Sequence, residues 1–101
     1  MKRGEIWVVQ RPEYPKPRPA VILSINPIND LHPDVIVVPI TGKPAPLRPH
    51  ISEPFLDKAS YVKCETVTAV YKGLLKQRLG MLSARSLATV EKGVKTALGL
   101  T

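Results

Sequence analysis

Two stretches decide the fold: Ala20-Val21-Ile22-Leu23-Ser24-Ile25 and Val35-Ile36-Val37-Val38-Pro39-Ile40. Each is a short apolar run rich in β-branched residues and bounded by turn residues, the pattern of a strand buried on both faces. Both faces of the sheet they build must therefore be covered. One face can close on itself as a small barrel filled by its own side chains. A single terminal helix covers part of the other, and the remaining apolar surface is expected to meet a second copy of the chain.

Working outward, Glu5 to Val9 reads as a first strand. Arg11 to Pro19 carries four prolines and is expected to be a loop, because proline cannot pair in a central strand. Asn26 to Pro33 is turn chemistry with room for one helical turn. Beyond Thr41-Gly42, Lys43 to Pro49 is a second proline loop, and His50 to Glu53 a short edge strand. Tyr61 to Val70 alternates as a half-buried strand does. Lys72-Gly73 marks a turn, and Leu79 to Leu82 a last short strand. Ser83 is an N-cap candidate for a helix over 84–98. On that helix Leu87, Val90, Val94 and Ala97/Leu98 share one face. Gly93 in its middle costs about 1 kcal/mol against alanine, and Gly99 is a natural stop. All 11 prolines lie at or before Pro54 with no polar linker after them. Residues 1–101 thus read as one domain, mainly β with a C-terminal helix.

Among the 101 residues, 15 Lys and Arg face 8 Asp and Glu, for a net charge of +7. Residues 1–54 contribute +2 (7 basic, 5 acidic) and residues 55–101 contribute +5 (8 basic, 3 acidic). No block of five like charges occurs, so the charge belongs to folded surface. It suits a phosphate backbone, an acidic partner protein or an anionic membrane face. With 44% apolar and 23% charged residues, the chain is not of the disordered class. No apolar run approaches the ~18–20 residues of a membrane span. The N-terminal residues run straight into a strand without the apolar stretch of a signal peptide, so a cytoplasmic protein is expected. The single Cys64 excludes an intramolecular disulfide framework and a multi-cysteine zinc site, and reads as a small buried hydrophobe. With only His32 and His50 beside it, no metal and no cofactor is expected. Nucleophile-elbow, Walker and dinucleotide fingerprints are absent from the sequence.

Three short segments can carry chemistry. Pro17 and Pro19 fix the backbone around Arg18, which presents a planar, always-charged donor fork suited to phosphate oxygens; an arginine so held also serves as partner to a surface carboxylate. Thr41 ends an apolar strand, where its hydroxyl can donate to a phosphate or cap a turn, and Gly42 lets a ligand approach the backbone. Glu13, five residues before Arg18, is a carboxylate able to accept a proton or simply a solvated loop residue. Lys16, Lys43 and Arg48 sit in the proline loops beside these segments and can contact neighbouring phosphates. Trp7 can stack a base or belong to the core.

Taken in order, Met1-Lys2-Arg3-Gly4-Glu5-Ile6-Trp7, Arg18-Pro19-Ala20-Val21-Ile22-Leu23-Ser24 and Val35-Ile36-Val37-Val38-Pro39-Ile40-Thr41 resemble the MazF/PemK toxin family. Lys76-Gln77-Arg78-Leu79-Gly80, Leu82-Ser83 and the terminal amphipathic helix extend the likeness over nearly the whole chain. The resemblance implies a small SH3-like β-barrel of the MazF/CcdB type, working as a homodimer. It further implies a metal- and ribosome-independent endoribonuclease (mRNA interferase) that leaves 2′,3′-cyclic phosphate and 5′-hydroxyl ends and is neutralised by a small antitoxin. The family's catalytic residues correspond to Arg18, Thr41 and Glu13, with Lys16, Lys43, Arg48 and Trp7 as expected RNA contacts. Three features depart from the family. The loop after the first strand is short and reads Arg11-Pro12-Glu13 in place of Gly-Ser-Glu. Glu65-Thr66-Val67-Thr68-Ala69 stands where Glu-Gln-Ile-Arg-Thr is usual, and Tyr71 to Leu75 is lengthened. The missing Gln and Arg keep a second expectation open: a non-catalytic binding protein on the same fold, such as a CcdB-like gyrase inhibitor or an inactive RNA-binding relative.

Overall fold

The computed structural model describes residues 1–100. Strands β1 (Glu5–Val9), β2 (Arg18–Ile22), β3 (Asp34–Thr41), β4 (His50–Ile51), β5 (Ser60–Val62), β6 (Thr68–Tyr71) and β7 (Leu75–Met81) join helices α1 (Asn26–Leu31) and α2 (Ala84–Leu98). The apolar run at 35–40 becomes the organising strand. Along one edge of β3, β6 pairs with its first half (Asp34↔Tyr71 to Val37↔Thr68) and β5 with its end (Ile40↔Val62, Thr41↔Tyr61). β2 takes the opposite edge in antiparallel register, from Ala20↔Pro39 to Ile22↔Val37. The full order is β4-β5-β3-β2-β1-β7, with β6 also on β3. Two strands in succession on one edge of β3 curl the sheet into a half-barrel.

The period-2 alternation of β2 and β3 sends their side chains into two cores. Val21, Val38 and Ile40 meet Ile6, Ile51, Val62, Cys64, Leu82 and the α2 residues Val90 and Val94. Ala20, Ile22, Val35 and Val37 meet Val9, Val70 and Leu75, with half-buried Trp7 packed against them. Each fully buried valine or isoleucine contributes about 1.5–3 kcal/mol relative to exposure. The requirement that both faces be covered is thus met within one chain, by α2 on one side and the curl of β1, β6 and β7 on the other.

Helix α2 starts at Ser83, whose Oγ accepts from the Ser86 amide at 3.1 Å, and stops at Gly99 in the left-handed conformation, where glycine carries no Cβ penalty. Its expected apolar face holds for Val90 and Val94, but Ala97 and Leu98 point to solvent in the last turn. Gly93 has a packing reason: a Cβ there would lie 2.6 Å from Cys64 Sγ and 3.0 Å from Pro49 Cγ.

Three expected elements change. The single strand over 61–70 is two strands joined by a 3-10 turn at Cys64–Thr66, because its ends pair with different halves of β3. The short strand over 79–82 is the seven-residue β7, held by backbone pairing along all of β1 while its exposed Lys76, Gln77 and Arg78 hide the alternation. β2 begins at Arg18 and ends at Ile22, not 20–25. Pro19 is tolerated because it pairs with Val8 of β1, while the register with β3 begins only at Ala20.

Candidate functional site

The β2–β3 register creates the site. Ala20 faces Pro39, so continuing the antiparallel pairing two residues outward sets Arg18 across from Thr41. Both lie on the face that holds the Ala20, Ile22 and Val37 core, at the point where that core opens to solvent. Two adjoining hollows occupy this opening. The larger is a cleft of about 500 Å³ lined by Arg18, Thr41, Gly42, Lys43, Arg48 and Lys63, with Tyr14 and Thr66 also on its wall. The smaller, of about 70 Å³, has an apolar floor of Val9, Ala20, Val37 and Val70 beneath Arg11, Tyr14, Thr66 and Thr68. Tyr14, Arg18, Pro39 and Thr66 border both.

Among the described residues, four cations line the cleft and no carboxylate does. Arg18 is exposed and has no ion-pair partner among the described residues, so its fork is available to an anion. Thr41 Oγ1 accepts from the Lys43 amide at 3.2 Å, which orients the hydroxyl while its own proton remains free to donate. Arg48 is committed to the fold: it donates from Nε and Nη2 to Glu65 Oε2 at 3.0 and 2.6 Å, and from Nη1 to the Lys43 carbonyl at 3.0 Å. That clamp ties the loop after β3 to the 3-10 turn, and the Arg48 guanidinium holds the Glu65 carboxyl below the ordinary carboxylate value. Burial, helped by nearby Glu65, pushes the Cys64 thiol up, so Cys64 stays a protonated core residue rather than a nucleophile.

Of the residues expected from sequence, Arg18, Thr41, Lys43 and Arg48 come together in the cleft. Glu13, Lys16 and Trp7 are not among its lining. The Glu13 carboxylate instead accepts from Arg11 Nη1 at 3.1 Å. Lys16 is exposed on the proline loop. Trp7 packs against the second core, its Nε1 donating to Glu5 at 3.1 Å. His50 packs edge-on against Tyr61. Sequence reasoning missed Lys63, Tyr14 and Thr66; the 3-10 turn that carries Lys63 and Thr66 inward reads as strand in the sequence. It also passed over Arg11, whose Nη2 reaches Thr68 Oγ1 at 3.5 Å and the Ala69 carbonyl at 3.2 Å. Arg11 thus brings a guanidinium from the β1–β2 loop to the start of β6. Among the described residues, no group of three or more His, Cys, Asp or Glu is arranged to hold a metal ion. Among the described residues, no helix is long and apolar enough to cross a membrane.

Residues 2–98 match the sequence pattern of the family described as PemK-like, MazF-like toxin of type II toxin-antitoxin system. The chain is 32% identical over 111 residues to Endoribonuclease MazF of Staphylococcus saprophyticus, covering 99% of this chain and 92% of that protein. Among solved structures, an endoribonuclease in complex with its cognate antitoxin from a mycobacterial species superposes with a TM-score of 0.86 at 24% identity, over 100% of this chain and 95% of that one. MazF in a MazE–MazF complex from Deinococcus radiodurans gives 0.82 at 19%, over 100% and 98%. These two likenesses establish the half-barrel with its terminal helix as a known fold.

Proposed function

From the premise that the chain belongs to the PemK-like, MazF-like toxin family of type II toxin–antitoxin systems, we propose that it is an endoribonuclease toxin. It cuts single-stranded RNA without a metal ion and is held inactive by a small antitoxin. One observation carries this reading: an unpaired arginine on β2 and a hydrogen-bonded threonine at the end of neighbouring β3 line the same cationic cleft. That gathers donors and positive charge in one cleft, which stabilising the charge of phosphoryl transfer requires.

In the reaction, the 2′-hydroxyl oxygen forms a bond to phosphorus as the bond from phosphorus to the 5′-oxygen breaks. The products are a 2′,3′-cyclic phosphate and a 5′-hydroxyl. Arg18 neutralises the charge that builds on the non-bridging oxygens, and Thr41 donates to one of them while Lys43 and Lys63 hold adjoining phosphates. The 2′-hydroxyl proton passes to solvent, and solvent returns one to the leaving oxygen. Glu13 acts at one remove in this scheme, because its carboxylate is engaged by Arg11.

The protein also works as a homodimer in this reading. Leu31, Ile36 and Tyr71, exposed on the adjoining elements α1, β3 and β6, supply the apolar patch, and the mass from light scattering of the purified protein checks it.

The test is cleavage of a long mixed-sequence RNA in EDTA. Arg18→Ala and Thr41→Ala should each slow cutting by about 10²–10³ with unchanged melting temperature. Wild-type rates in either variant would remove that residue from the mechanism. Binding without cutting by the folded wild type would leave the non-catalytic alternative.

A further inference from the structure

We propose that Arg48 is a positioning residue for Thr41: anchored by Glu65, its guanidinium braces the Lys43 backbone, whose amide fixes the Thr41 hydroxyl. The inference rests on the ribonuclease reading above and adds to it a residue that acts without touching the reacting atoms.

A chain of hydrogen bonds runs from Glu65 to the hydroxyl. Glu65 Oε2 accepts from Arg48 Nε and Nη2 at 3.0 and 2.6 Å. Arg48 Nη1 donates to the Lys43 carbonyl at 3.0 Å, and the Lys43 amide donates to Thr41 Oγ1 at 3.2 Å. The carbonyl and the amide flank one Cα, so holding the carbonyl limits the orientations open to the amide. Every guanidinium nitrogen of Arg48 is engaged in this brace. A lysine, with a single point charge, could not bond the carboxylate and the carbonyl in one plane.

The backbone around the brace is built for one geometry. Pro44, Pro46 and Pro49 lock φ along the loop. Between them Leu47 stands at φ 66°, in the left-handed region that a residue with a Cβ adopts only at a cost. Leu47 is exposed, so burial does not offset that strain. It lies in the turn closed by the Arg48 amide on the Ala45 carbonyl at 3.2 Å, and this turn folds Arg48 back on Lys43. Strain held by surrounding bonds beside a reactive group is a mark of pre-organisation. What the brace secures is the threonine donor. Released from the Lys43 amide, the hydroxyl divides among three staggered wells and is no longer aimed in advance at the developing charge.

The experiment measures kcat and KM in EDTA on a short RNA bearing one site that the wild type cuts. Arg48→Gln should lower kcat by about 3-fold, for a hydroxyl spread over three wells, to about 100-fold, for a threonine displaced by about 1 Å. KM should stay within about twofold of wild type. Glu65→Gln tests the brace from its outer end should Arg48→Gln unfold, and it should lower kcat without raising KM. In a Thr41→Ala background Arg48→Gln should have no further effect, whereas a merely structural role would cost the same in both backgrounds. A kcat unmoved in both single variants, a loss carried by KM, or an equal fall with and without the Thr41 hydroxyl would overturn the brace and leave the ribonuclease reading standing. If the wild type cuts no RNA, hydrogen exchange at the Lys43 amide decides. Faster exchange in Arg48→Gln or Glu65→Gln at unchanged melting temperature would support the brace alone, and equal exchange would overturn it.

Discussion

Three of the four cations in the cleft, Arg18, Lys43 and Lys63, have no ion-pair partner among the described residues, whereas Arg48 is matched by Glu65 at 2.6 Å. This difference fixes how RNA binding responds to salt. On a single strand each neutralised phosphate contributes about −0.7 to the slope of log K against log salt. Three free cations give a slope of about −2, or a roughly twentyfold loss of affinity between about 50 and 200 mM salt. Lys43→Ala or Lys63→Ala should each flatten the slope by about 0.7. Glu65→Gln should do the reverse, steepening it by about the same amount, because it releases Arg48 to the phosphates. Arg48→Gln should leave the slope nearly unchanged. Fluorescence anisotropy of a short 2′-O-methyl RNA measures this directly, since that strand has no free 2′-hydroxyl and cannot be cut. A wild-type slope shallower than about −1, or one indifferent to Glu65→Gln, would refute the division into free and committed cations.

Acid sensitivity follows from Glu5. Burial alone would raise its carboxyl, but hydrogen bonds from the Lys2 amide, Arg78 and Trp7 hold it below its ordinary 4.5, and Glu53 and Glu65 are lowered as well. Folding therefore favours the ionised forms, giving stability that is present above about pH 4.5 and lost as pH falls through the folded-state values. Thermal melts from about pH 3 to 7 should show that loss, with part of the acid slope gone in Glu5→Gln; an identical slope in the variant would rule Glu5 out. Gly93→Ala sets helix propensity, worth about 1 kcal/mol in its favour, against a Cβ 2.6 Å from Cys64 Sγ. Overpacking costs about 1–3 kcal/mol, so the melting temperature should drop; a raised one would show that Cys64 and Pro49 yield.

What the sequence determined by itself was whatever local chemistry dictates. The apolar runs at 20–25 and 35–40 specified buried strands, Ser83 and Gly99 set both ends of α2, and Arg18 and Thr41 were legible because a stiff proline segment and a strand end mark them. Tertiary structure decided what depends on pairing between distant segments. Residues 61–70 alternate like one strand, yet their two ends must reach opposite halves of β3, so the chain turns at Cys64–Thr66 and carries Lys63 and Thr66 to the cleft. β7 is long because β1 needs a partner, not because its own polar residues favour a strand. Gly93 reads as a defect until Cys64 and Pro49 are seen against it. The pairing of Arg11, Glu13 and Arg48 cannot be read from their positions in the sequence. Only the folded chain commits Arg48 to Glu65, joins Glu13 to Arg11, and leaves Arg18 free, because an ion pair is settled by which charges approach within a few ångströms.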